Sequence, residues 1–232
     1  MSSRVLVVCA HPDDEAMGLA GTLCAHAKAG DRIEMLFLSD GVTARDPSFD
    51  PALRRVEIDR RKEMARAAAS IVGAGDVHFL DLKNNRLDGI ELIDIVKPVE
   101  NLIRDFGAQI VYTNHGNDLN VDHRTAHQAV LTACRPLPGS QVRAIYAFET
   151  PSSTEWESVV SGQVFAPNRF VDISPHLDAK VAAIKAYGEE MRAYPHPRSF
   201  GALEALWRWR GAQSGFAAAE AFMVVRERVA SA

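Results

Sequence analysis

The chain has 232 residues, enough for one large α/β core and not enough to require a second domain. Its 47% apolar and 24% charged content is that of an ordinary globular protein, and a net charge of −4 gives no sign of a nucleic-acid surface. Cys9, Cys24 and Cys134 form no C-x-x-C pair, and Cys9 and Cys24 read as small buried hydrophobes of a reducing compartment. No apolar run is long enough to cross a bilayer, and "MSSRVLVVCA" enters a strand without the cleavage site of a signal peptide. The expectation is a cytoplasmic protein with no stable membrane anchor.

Strands and helices alternate along the chain. "RVLVVCA" is a short apolar run, typical of a strand buried on both faces. "DEAMGLAGTLCAHAKAG" has helical periodicity and stops at Gly30. "DRIEMLFLSD" is a second strand, residues 51–72 a second helix, "VHFLDL" a third strand. The basic stretch "LRRVEIDRRKEMAR" in that helix is interleaved with acids and is either a solvated face or a binder of anions and hydroxyls. "ELIDIVKPVENLIRDFG" is a helix that Pro98 should bend or divide. "QIVYTNH" is a fourth strand, "VDHRTAHQAVLTACRPLPG" a fourth helix, "VRAIYAFET" a fifth strand. The C-terminal third is less regular: "FVDIS", a helix over 176–194, the Arg/Trp-rich "ALWRWRG", and "AEAFMVVRERV". The fold class expected is α/β, three layers in α/β/α order around a mostly parallel sheet, with residues 1–232 as one domain and an irregular C-terminal third.

In such a sheet ligands bind at the carboxyl ends of the strands, where strand order reverses. With the order 3-2-1-4-5, strands 1 and 4 meet at that reversal. "AHPDDE" follows the first and "NHGNDLNVDHRTAH" the second, so the two polar clusters should face each other. Three adjacent acids beside an apolar strand repel one another and lose hydration. A divalent cation between them makes the arrangement reasonable, with a His and an Asp from the first cluster and a His from the second. Other readings stay open. "HPDDE" could be a helix N-terminus with acids on its dipole; Asp122 could be an N-cap; His123 and His127, at i and i+4, could form their own metal pair.

The strings "AHPDDE", "AGTL", "SDGV", "RRKEMARAAASIVG" and "DLNVDHR" resemble the LmbE/PIG-L family of metal-dependent N-deacetylases over most of the chain. The resemblance implies a Rossmann-like fold, a Zn2+ or similar divalent ion, and hydrolysis of an N-acetyl group from an amino sugar, commonly an N-acetylglucosaminyl unit. Carried over, it makes His11, Asp14 and His123 the metal ligands and Asp13 the general base. Many members have H-P-D-H where this chain has "NVDH". Asn120 can donate to an oxyanion but cannot deliver a proton, which leaves His115, His127 and His196 as candidate acids. Arg60 matches a position that can reach substrate hydroxyls, and Asp122 could orient a histidine or face the substrate. Trp156, Trp207 and Trp209 could stack on sugars or be core. The substrate is open among glycosides, sugar nucleotides and glycolipid precursors, and a homo-oligomer is compatible with the chain. The competing readings are a non-catalytic Rossmann-like module for a nucleotide or sugar, which needs a glycine-rich turn where "CAHPDDEAMG" stands, and a metal-dependent hydrolase of another bond.

Overall fold

The structure, a computed structural model, describes residues 2–47, 50–158 and 164–229. The strands are β1 (Arg4–Cys9), β2 (Arg32–Ser39), β3 (Val77–Leu82), β4 (Ile110–Asn114), β5 (Ala144–Phe148), β6 (Arg169–Asp172) and β7 (Ala219–Glu227). The long helices are α1 (Asp14–Lys28), α2 (Arg55–Val72), α3 (Leu92–Phe106), α4 (Val121–Ala133), α5 (Leu177–Ala186) and α6 (Phe200–Ser214). The strands form one sheet in the order β3-β2-β1-β4-β5-β7-β6. The first five run parallel, and β7 lies antiparallel between β5 and β6.

The period of two along β1 assigns the two faces. Val5, Val7 and Cys9 pack with Leu19, Ala65, Ile184 and Leu203, so α1, α2, α5 and α6 cover one side. Leu6, Val8 and Ala10 pack with Val96, Val99, Ala126 and Val130, so α3 and α4 cover the other. All of β1 beyond Arg4 is buried, which is why it reads as a continuous apolar run. The adjacency of β1 and β4 at the reversal of strand order is as expected.

Three elements differ from the sequence reading. Helix α3 continues through Pro98 as one element. The carbonyl that Pro98 leaves without a donor is that of Asp94, on the exposed face, where water can take its place. The helix expected over 176–194 ends at Ala186, where Tyr187 turns inward to bond Glu15 and a short turn at Gly188–Glu190 follows. "ALWRWRG" belongs to a regular helix, α6, so the C-terminal third is more ordered than its composition suggests.

A buried ion pair ties that third to α1. Lys180 Nζ, fully buried, donates to Glu220 Oε1 at 2.6 Å and to the carbonyls of Ala16 and Met17 at 3.2 and 2.8 Å. The Glu220 carboxylate accepts from the amides of Gly21 and Thr22 at 2.9 and 2.7 Å. Removing one partner strands the other charge in the core, a loss of about 3–5 kcal/mol. Glu220→Leu is expected to lower the urea unfolding free energy by that amount, and adding Lys180→Met to recover much of it. A loss that the second substitution deepens would place the stability in the pair itself.

Candidate active site

The loop after β1 is fastened to β4 before it reaches the acids. The Ala10 amide donates to Asn114 Oδ1 at 2.9 Å. Asn114 Nδ2 in turn donates to Asp14 Oδ2 at 3.0 Å, and the His11 amide reaches the same oxygen at 3.0 Å. Asp14 Oδ2 is thus fixed by two donors, while its Oδ1 is buried and accepts no hydrogen bond. A buried carboxylate oxygen without a donor is costly unless something else meets it.

Two histidine nitrogens face that oxygen. His123 Nε2 lies 3.4 Å from Asp14 Oδ1 and 3.3 Å from His11 Nδ1, and His11 Nδ1 lies 3.6 Å from Asp14 Oδ2. The far nitrogen of each ring faces a carboxylate: His11 Nε2 hydrogen-bonds Asp122 Oδ2 at 3.0 Å, and His123 Nδ1 lies in ion-pair contact with Asp118 Oδ1 at 3.1 Å. Asp118 also accepts from Thr154 Oγ1 at 2.6 Å and from Ser153 Oγ. Three donors of one nitrogen–nitrogen–oxygen set therefore converge, each imidazole oriented from behind as metal-binding histidines are. A tetrahedral ion with bonds of about 2.0–2.1 Å has edges of about 3.3–3.4 Å, which the two edges from His123 Nε2, 3.3 and 3.4 Å, match. The alternative pair of His123 and His127 is not formed, because His127 Nδ1 bonds the Asn114 carbonyl at 2.9 Å.

The charges around the cluster favour a positive charge at its centre. Burial would lower both histidines. The carboxylates of Asp122 and Asp14 around His11, and of Asp14 and Asp118 around His123, outweigh it and push them up to about 9 and about 10. Burial would raise Asp14, but His123 and His11 hold it well below the usual carboxylate range. Histidines raised above 6.5 stabilise the ion-free fold below that pH and lose the contribution as pH rises through about 9 to 10. In the ion-free protein, protons therefore occupy the site at neutral pH. Loading at pH 7 is expected to release about two protons per ion, with affinity rising toward pH 9–10. Calorimetry in buffers of different ionisation enthalpy measures this; loading without proton release would mean neutral imidazoles.

Asp13 is positioned differently from its neighbour. It occupies the N-cap position of α1, yet its side chain makes no capping bond. Its φ of 129° lies in a region a non-glycine residue rarely adopts, a strain of about 1–3 kcal/mol. The Asp13 amide donates to Glu15 Oε2 at 3.1 Å, and Glu15 is fixed by the Tyr187 hydroxyl at 2.7 Å. The buried Asp13 carboxylate instead accepts from Arg198 Nη1 at 3.0 Å, with Arg61 Nη1 at 3.8 Å. Burial raises its pKa and Asp14 adds to this, against Arg198 and Arg61. The acids of "HPDDE" do begin a helix, but the capping reading does not account for where Asp13 is aimed.

The other expected residues separate. Asp122 is fully buried, with donors from the Asn85 and Leu87 amides at 2.6 and 2.9 Å, and it backs His11. It does not cap α4: Asn120 does, its Oδ1 accepting from the Asp122 amide at 2.9 Å. His115 is buried edge-on to Phe165. His196 is half-buried, its Nδ1 accepting from the Arg198 amide at 3.0 Å and its ring edge-on to Trp156. Arg60 is largely exposed and pairs with Glu189. The arginine that reaches the site is its neighbour Arg61, buried, bonded to the Pro12 carbonyl at 3.2 Å and paired with Glu190. Gly41, at φ 71°, makes room for this approach, since a Cβ there would lie 3.0 Å from Pro12 Cδ. Trp207 is core, whereas Trp156 and Trp209 are exposed.

The family model described as "PIG-L: GlcNAc-PI de-N-acetylase" matches residues 6–134, the stretch that holds His11, Asp13, Asp14, Asp118, Asp122 and His123. The chain belongs to the PIG-L family. Among PIG-L relatives, the uncharacterized deacetylase YaiS of Escherichia coli (strain K12) is 29% identical over 79% of this chain and 89% of its own. The N,N'-diacetylchitobiose deacetylase of Pyrococcus horikoshii superposes with a TM-score of 0.76 at 17% identity, over 97% of this chain and 84% of that one. GalB, the 4-carboxy-2-hydroxymuconate hydratase of Pseudomonas putida KT2440, superposes with a TM-score of 0.74 at 24% identity over 99% of both chains. The PIG-L fold thus carries more than one activity, and the fold alone does not choose between them.

Proposed function

We propose that the protein is a zinc-dependent N-deacetylase that hydrolyses the acetamide of an N-acetylglucosaminyl-type sugar to acetate and the free amine. The observation that carries the reading is the buried His11–Asp14–His123 cluster, both imidazoles backed by carboxylates, next to a second carboxylate that a strained backbone turns away from its own helix. Family membership and the deacetylase relatives support it.

Bound through His11 Nδ1, Asp14 and His123 Nε2, a divalent ion would supply a water of lowered pKa and polarise the amide carbonyl. Asp122 and Asp118 keep the two imidazoles in the tautomers that present those nitrogens. Asp13 takes the proton of the attacking water as the new C–O bond forms. Arg198 and Arg61 keep its carboxylate in one orientation, and burial favours its protonated form. It then delivers that proton to the amide nitrogen as the C–N bond breaks, so a second acid is not required. Asn120, its Oδ1 occupied by the cap, has its Nδ2 left to donate to the developing oxyanion.

The test is acetate release by zinc-loaded protein from a panel of N-acetylated monosaccharides, glycosides, sugar nucleotides and glycolipid precursors. Release from an N-acetylglucosaminide supports the reading; no release from any member of the panel contradicts it.

A further inference from the structure

A groove of about 390 Å3 opens beside the cluster, lined by Asn85, Asn120, Ser152 and Ser153 together with Leu119 and Trp156. Its walls are one residue removed from the reacting groups. Ser152 Oγ accepts from Arg198 Nε at 2.7 Å, and Arg198 Nη1 holds Asp13 at 3.0 Å. On the other side the Asn85 amide donates to Asp122 Oδ2 at 2.6 Å, the oxygen that holds His11.

Trp156 is 51% exposed, yet its backbone is anchored. It ends the short turn Thr154–Trp156, whose Thr154 hydroxyl bonds Asp118, and the edge of His196 meets its ring at 6.0 Å between centroids. A large aromatic held half-open over a groove is a surface prepared for a ring. Besides Trp156 the lining consists of amides, hydroxyls, Leu119 and Val121, with no charged side chain among the described residues. The nearby guanidiniums are committed, Arg198 to Asp13 and Glu190, Arg124 to the carbonyls of Asp118 and Leu119 and to Glu157. A diphosphate would find both of these guanidiniums already paired, and an acyl chain would bury the Asn85 and Asn120 side-chain amides of the lining. A neutral hydroxylated ring meets both halves of the lining.

We infer that this groove is the subsite for a neutral sugar ring attached to the N-acetylated unit, with Trp156 as its stacking platform. The inference rests on the deacetylase reading for its substrate and on the groove for its specificity. The test compares kcat/KM for N,N'-diacetylchitobiose and N-acetylglucosamine in the parent, Trp156→Ala and Trp156→Phe, and titrates the ion-free protein with diacetylchitobiose by tryptophan fluorescence. In Trp156→Ala the preference for the disaccharide should fall roughly three- to tenfold, chiefly through KM, with Trp156→Phe in between. The fluorescence change seen in the parent should vanish in Trp156→Phe. An unaltered preference in Trp156→Ala overturns the subsite, as does a preference for UDP-N-acetylglucosamine over the neutral disaccharide. If no sugar yields acetate, the deacetylase reading fails separately. The fluorescence titration then still decides the groove: a Trp156-dependent signal sustains it, and no signal overturns it.

Discussion

Asp14→Asn is expected to yield a folded protein that no longer holds its ion and releases no measurable acetate. The substitution keeps the shape of a fully buried side chain and keeps an oxygen for the His11 amide and Asn114 Nδ2, which now fix Oδ2. The amide nitrogen is then forced into the place of Oδ1, facing His123 Nε2, where a donor replaces the anionic ligand. Loss of a single residue behind a metal ligand costs about ten- to hundredfold in affinity, and loss of the ligand itself should exceed that. Zinc content after gel filtration, with a circular dichroism spectrum to show the fold, checks the prediction. A loaded Asp14→Asn protein would place the ion elsewhere.

Asp13→Asn should give the opposite pattern, with the ion bound and turnover down by about two to four orders of magnitude. Asparagine is nearly isosteric, and its Oδ1 can still accept from Arg198 Nη1, now 3.0 Å away. It cannot take a proton from water. Asp13 lies outside the set of atoms that converge on the cluster, so ion affinity should change little. Retained turnover would reduce the carboxylate to a structural counter-charge for Arg198 and Arg61. An emptied site would exchange the roles of the two aspartates.

Most of the sheet was legible because its information is local. The apolar runs of β1, β2, β4 and β5 mark strands buried on both faces, and their alternation with amphipathic helices dictates a parallel order. The insertion of β7 between β5 and β6 was not legible. "AEAFMVVRE" pairs there on both edges, and Glu220 within it finds Lys180 of α5 and the amides of α1, contacts that no window of sequence contains. The site divides in the same way. His11, Asp13 and Asp14 stand together in the chain, and a strand end explains why they matter. Arg198 is separated from Asp13 by 185 residues. It lies in "YPHPRS", the Pro-flanked segment in which the sequence singles out His196 as the residue able to project into a site. The resemblance points to Arg60, which begins the R-x-x-E string Arg60–Glu63 of α2, and such a match carries no helix phase. One residue is about 100° of rotation, enough to put Arg60 in solvent and Arg61 against Asp13. Asp122 reads either as a cap or as the partner of a histidine, and the structure pairs it with His11; Asp118, in the polar loop preceding α4, carries no local sign that it faces His123.

The central claim is that one ion, held at His11, Asp14 and His123, turns this cluster into a deacetylase. The most direct measurement strips the parent protein with chelator, returns zinc stepwise, and follows bound metal and acetate release from an N-acetylglucosaminide in the same samples. The account predicts no release from stripped protein, then a rate that rises in proportion to bound zinc and levels off at about one ion per chain, the occupancy of a single three-ligand catalytic site. Full activity in the stripped protein would contradict it, as would a fully loaded protein that releases no acetate.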